Sequence, residues 1–164
     1  MLNIKHLQKQ FTRSGKVQWI GLRPERDAAM IQPVQIFADK GQGLQGDRFR
    51  GLTSKRQVTL IQAEHLPVIA ALLGRDTIDP ALLRRNLVVS GLNLLALKGK
   101  QFFVGEAVLE MTGLCHPCSK MENTLGQGGY NAMRGHGGIT AKVVRSGLIQ
   151  LGNDVFPLSG EEHL

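Results

Sequence analysis

Apolar residues fall along this chain in short runs rich in β-branched side chains, with glycine marking the breaks between them. Residues 17–20, 34–38, 58–61 and 87–90 each read as a strand. Residues 101–104 and 107–112 follow, joined by Gly105-Glu106, a hairpin-type turn. Residues 141–145 and 148–151 flank Ser146-Gly147, and a last pair, 155–156, follows Gly152-Asn153-Asp154. Helical spacing is rarer. Between 62 and 73 the apolar residues Ala63, Leu66, Ile69, Ala70 and Leu73 share one helix face, and Gly74 supplies a stop. Pro67 is compatible with that helix only in its first turn. Asp79-Pro80 opens a second short helix, with Asp79 as N-cap and proline at the first helical position. Many short strands with glycine turns and few helices predict a mainly β fold, a barrel or sandwich, in one domain over residues 1–164.

Composition narrows the setting. The chain has 164 residues, 42% of them hydrophobic, which is enough for a core without disulfide staples. Its two cysteines sit in one segment and frame no secreted disulfide scaffold. The smoothest apolar stretch, 66–73, is far short of the ~18 residues a membrane helix needs, and the first residues lack a signal-peptide apolar core. A cytoplasmic protein without a membrane partner is expected. Lys+Arg 20 against Asp+Glu 13 gives a formal charge of +7, which favours an anionic partner of unspecified kind. Aromatic content of 5% is low for a nucleic-acid stacking surface, so nucleic acid is not the favoured partner.

Cys115-His116-Pro117-Cys118-Ser119-Lys120, directly after a strand, is the segment best suited to chemistry. Lys120 and His116 favour a thiolate at Cys118, the form that acts as nucleophile and soft metal ligand. Three chemistries fit these residues: a dithiol redox pair, a structural zinc site, and one working cysteine that ligates a soft metal or carries sulfur. The first requires a long helix after the motif, and Gly126 and Gly128-Gly129 cut that short. The second requires a further ligand pair, whereas His6, His65, His136 and His163 each stand alone in sequence. Gly43-Leu44-Gln45-Gly46-Asp47-Arg48 offers backbone N–H groups and a guanidinium to an anion. Arg84-Arg85-Asn86 and Lys55-Arg56-Gln57, each just before a strand, add further cations. His65 is expected to be a satisfied helix residue, Trp19 and one of Phe102 and Phe103 to be core. Residues 128–138 are expected to form a mobile glycine-rich connection.

In order along the chain, several of these segments resemble the MOSC domain, found at the carboxy terminus of molybdenum cofactor sulfurases and as stand-alone bacterial proteins. The resemblance rests on 19–24, 43–48, 56–61, 84–94, 105–110, Pro117-Cys118, 136–144 and 152–155, and runs from about 17 to 156. It implies a β-barrel-like fold that handles the molybdenum cofactor, a pterin with a dithiolene and a phosphate. It also implies an oxidoreductase that reduces N-hydroxylated small molecules, with Cys118 as the metal ligand. Arg84 and Asn86 match the family's cofactor-binding Arg-x-Asn, and His116 matches a residue that lines the site. Asp47, Arg48 and Arg56 join them as expected cofactor-binding residues. The resemblance covers no ferredoxin-like module and no sulfurase module, so a separate electron-donor or sulfur-donor protein is expected. A second function stays open at this point: a non-enzymatic carrier of sulfur or of the cofactor, working through a Cys118 persulfide or thiolate.

Overall fold

A computed structural model describes residues 1–159; His163 lies outside them. Ten strands and five short α-helices follow one another in the order α1 (Ile4–Leu7), β1 (Gly15–Ile20), β2 (Gln35–Asp39), β3 (Gly43–Leu44), β4 (Val58–Gln62), α2 (His65–Leu72), α3 (Pro80–Leu83) and β5 (Leu87–Ser90). A 3₁₀ turn (Leu94–Leu97) leads to β6 (Gln101–Val104), β7 (Ala107–Leu114), α4 (Ser119–Leu125), α5 (Gly129–Met133), β8 (Ile139–Arg145), β9 (Gly147–Gln150) and β10 (Asp154–Pro157). Seven strands close a barrel in the order β1-β10-β6-β7-β8-β4-β5. A smaller sheet, β3-β2-β9, packs its Ile36, Ala38, Leu44 and Ile149 into the same core.

The parallel pair β4–β5 organises the rest. A parallel connection needs a crossover of a dozen or more residues, and α2 and α3 fill it. Helices then cover the outer face of these two strands, so both faces are buried and each strand carries apolar residues on both of them. Alternation along the strands divides those residues between two cores. Val58, Leu60, Leu87 and Val89 point into the barrel, with Phe102 and Leu109. Ile61 and Val88 point outwards against Ile69, Leu83, Met121 and Met133 of the helices.

The expected mainly β architecture is the one found, and the strand positions hold to within a residue or two. Asp79 caps α3 as the sequence indicates, its Oδ1 accepting from Ala81 N at 2.9 Å. Pro67 lies in the first turn of α2, where a missing N–H costs nothing. Phe102 is fully buried, whereas Trp19 is only half-buried against the helical core. The glycine-rich stretch is where expectation fails: it contains α5, anchored by the fully buried Met133, and is not an unanchored connection. Among the described residues no helix is long and apolar enough to cross a membrane.

Candidate functional site

The cysteine loop leaves the end of β7 and is tied down at its first residue. Cys115 N donates to Gly138 O at 2.9 Å, and Cys115 O accepts from Arg85 Nη2 at 3.4 Å. Arg85 also donates from Nε to Gly137 O at 2.9 Å and from Nη1 to Leu83 O at 2.7 Å. This close approach requires glycine. A Cβ on Gly138, at φ +89°, would lie 1.9 Å from Leu60 O, and one on Gly137 would lie 2.1 Å from Cys115 O. Arg85 is 6% exposed and all its partners are carbonyls. Burial lowers its pKa, an effect opposed by Cys115 and Cys118 and reinforced by Arg56 and Arg23. It remains a cation, because a guanidinium titrates so high. A positive charge whose partners are all carbonyls therefore sits against the Cys115 backbone, within electrostatic reach of both thiols.

The two thiols differ. Cys115 is buried, its Sγ 3.7 Å from Arg56 Nη2. Cys118 is exposed at the N-cap of α4, and its side chain makes no capping hydrogen bond. His116 is exposed between them in sequence. Two residues after Cys118, Lys120 Nζ pairs with Asp27 Oδ1 at 2.6 Å. That contact, as hydrogen bond and as charge, holds the Asp27 carboxyl below the usual carboxylate range.

A second group of residues lies fully inside. Arg23 grips Asp47 with Nε–Oδ1 at 3.1 Å and Nη2–Oδ2 at 2.9 Å. Asn86 Nδ2 donates to Asp47 Oδ1 at 3.1 Å and to Gly21 O at 3.0 Å. Its Oδ1 accepts from Arg23 Nη2 at 3.1 Å and from Thr59 N at 3.0 Å. The Asn86 amide is thus saturated by protein partners and fully buried. The network ties the end of β1 to β4, β5 and the loop after β3. The guanidiniums of Arg23 and Arg48 both stack on the Phe49 ring, 4.4 and 4.3 Å from its centroid.

Of the residues singled out in the sequence, Arg48, Arg56, Arg84, His116 and Cys118 present exposed or half-buried groups, whereas Asp47 and Asn86 lie beneath them. Arg84 ends α3 in a left-handed conformation, φ +56°, and its Nη1 donates to Ala28 O at 2.7 Å. Burial and the neighbouring charges of Arg23 and Arg48 lower its pKa, against Asp27 and Asp47. Arg84 and Lys120 line one cavity of about 500 Å³ together with Asp27, Met30, Gln32 and Leu82. The electrostatic neighbours link Arg23, Arg48, Arg56, Arg84 and Arg85 into one cationic cluster, in which Asp47 and Asp27 are the acidic neighbours. Arg50 stands aside from it, paired with Asp39 at 2.9 Å.

Sequence reasoning missed Arg23 and gave Arg85 no separate part. Their signals are weak: Arg23 sits just after a strand but 24 positions from its carboxylate, and Arg85 stands between two residues that attract more notice. It also missed that two of the separate histidines meet, the rings of His65 and His136 lying 5.2 Å apart. Among the described residues no group of three or more His, Cys, Asp or Glu could hold a metal ion.

A family model, the MOSC domain, matches residues 40–156. The chain belongs to the MOSC domain family. This is a sulfurase-type domain associated with the molybdenum cofactor. The matched span takes in Asp47, Arg48, Arg56, Arg84, Asn86, His116 and Cys118. Solved structures share the MOSC fold. The YuaD protein from Bacillus subtilis is 23% identical with a TM-score of 0.76, the alignment covering 87% of this chain and 94% of that one. YiiM from Escherichia coli is 20% identical with a TM-score of 0.68, over 88% and 70% of the two chains. YiiM from Geobacillus stearothermophilus is 16% identical with a TM-score of 0.69, over 88% and 75%. Among curated proteins, none matches the sequence.

Proposed function

We propose that this MOSC protein binds the molybdenum cofactor with the Cys118 thiolate as metal ligand and reduces N-hydroxylated small molecules. The observation that carries this reading is the exposed Cys118 beside a cluster of guanidiniums with few carboxylates to balance it. The donor set fits the group: a soft sulfur for a metal already bound by sulfur, and planar cationic forks for a phosphate. When bound, the cofactor supplies a metal centre that passes electrons to the substrate.

The chain's own residues have separable tasks in this reading. Cys118 holds the metal from an extended N-cap position that leaves its thiol unengaged. Arg48, Arg56 and Arg84 meet the anionic part of the cofactor. Arg85 fixes the cysteine loop through Cys115 O and Gly137 O. Asp47 and Asn86 act from beneath, by holding Arg23 and the strand ends in place. Reduction of an N–OH bond consumes two electrons and two protons and releases water. A separate redox protein supplies the electrons, and the exposed imidazole of His116 delivers protons beside Cys118.

The test is turnover of an amidoxime by protein purified from a host that makes the cofactor, with a reduced dye as electron donor. The reading expects amidine formation that falls at least a hundredfold in Cys118→Ser. No turnover by either protein overturns it. The exposure of Cys118 also favours a carrier role, which intact mass would reveal as a species one sulfur heavier, absent from Cys118→Ser.

A further inference from the structure

We propose that His65 and His136 form a second site, distinct from the cysteine loop, for a divalent zinc-type cation. The two histidines are 71 residues apart and come from different elements: His65 opens α2, and His136 stands between α5 and β8. Their ring centroids lie 5.2 Å apart with an interplanar angle of 71°. Zinc sits about 2.0–2.1 Å from an imidazole nitrogen, so two rings sharing one tetrahedral ion have centres roughly 5 Å apart. The observed 5.2 Å is compatible with a shared ion, and it is also the spacing of an edge-to-face ring contact, so a second observation is needed to decide between them.

The second observation concerns an atom. His136 Nδ1 is the buried side-chain polar atom left without a hydrogen-bond partner among the described residues. Buried polar nitrogens normally have partners, and one left over marks a place for a missing one. His136 N donates to Met133 O at 2.8 Å, which fixes the backbone that carries the ring. The half-buried His65 ring is the imidazole packed against His136. Burial and the nearby His136 ring lower the His65 pKa, against Glu64, and a neutral imidazole is the form that binds metal.

Solvent reaches the His65 side of the pair. His65 lines a surface cavity of about 520 Å³ with Gln62, Glu64 and Asn93. The Glu64 carboxylate accepts from Gly91 N and Gln62 Nε2, one bond to each oxygen, and adds negative charge beside His65. Its charge offsets that of Arg13, which lines the same cavity. No third His, Cys, Asp or Glu side chain joins the pair among the described residues, so water fills the remaining positions and the ion exchanges readily. Imidazole ligation selects zinc, copper or nickel over magnesium or calcium.

Zinc alone, added to the full chain and followed through the imidazole nitrogens by NMR, tests the site. The His65 and His136 ring signals are expected to shift together and saturate, with magnesium producing no shift. Removing either ring, in His136→Ala or separately in His65→Gln, is expected to weaken zinc at the other at least tenfold. The second variant covers the case in which the first fails to fold, which its backbone spectrum reports. Movement of the His116 signals alone, or unchanged affinity in the folded variants, overturns the proposal.

Discussion

The Arg23–Asp47–Asn86 network and the Cys118 rim are built from the same kinds of polar residue, yet they end in opposite states. In the first, every hydrogen-bonding group of Asn86 and both Asp47 oxygens are taken by protein partners. In the second, Cys118 makes no capping bond, His116 is exposed, and Arg85 contributes a buried charge that meets only carbonyls. The difference separates residues that set geometry from residues that have bonding capacity to spare. A saturated buried network gives rigidity, whereas an unsatisfied exposed group gives chemistry. The MOSC motifs contain both kinds side by side: Arg84 faces outwards and Asn86, two positions on, faces inwards.

Breaking the buried side of the comparison produces the largest effect. Asp47→Ala leaves the Arg23 guanidinium, 5% exposed, without its carboxylate. Removing one partner of a buried pair costs about 3–5 kcal/mol. Denaturant unfolding is expected to show that loss, with a Tm lowered by roughly 2–4 °C per kcal/mol in a chain of this size. A loss under about 1 kcal/mol would show that the network is not a brace. Arg85→Met sharpens the boundary between the two regions. It strands Gly137 O and Leu83 O, and an orphaned buried acceptor costs about 1–3 kcal/mol. Hydrogen exchange at the Cys115 amide is expected to speed up, whereas Asp47→Ala at matched stability is expected to leave it less affected.

The smallest effect lies at the rim. Asp27 is fully exposed and its carboxyl is held low by Lys120. A depressed carboxylate contributes stability that is present above its unfolded pKa and lost as pH falls through the folded one. Wild type is therefore expected to lose slightly more stability than Asp27→Asn as pH falls below the ordinary Asp range. Identical pH profiles would show that the Asp27–Lys120 pair contributes nothing to stability.

Much of the barrel is legible in the sequence because strand periodicity and glycine turns are local signals. The runs 87–90 and 101–104 coincide with β5 and β6 for that reason. Asp79-Pro80 is equally local, a cap and a fixed φ read from adjacent residues. What sequence could not supply is pairing over distance. Nothing local says that Arg23 meets Asp47, that Asn86 is turned inwards, or that His65 and His136 share a contact. Residues 128–138 mislead for a related reason. Their glycines suggest mobility, yet Met133 finds its place in a core assembled from β4, β5, α2 and α4. Of the candidate site, the cysteine and the arginines were legible as residue types. Their division into brace and rim was not, because burial is a property of the closed barrel.

The proposed role of Cys118 is to hold a metal already ligated by sulfur. Molybdenum content, measured per folded protein after purification from a cofactor-producing host, tests it most directly. Surface substitutions usually change stability by less than about 0.5 kcal/mol, so Cys118→Ser is expected to fold like the wild type. Molybdenum is expected in the wild type and is expected to be lost from Cys118→Ser. Equal molybdenum in both proteins, or none in either, would contradict it.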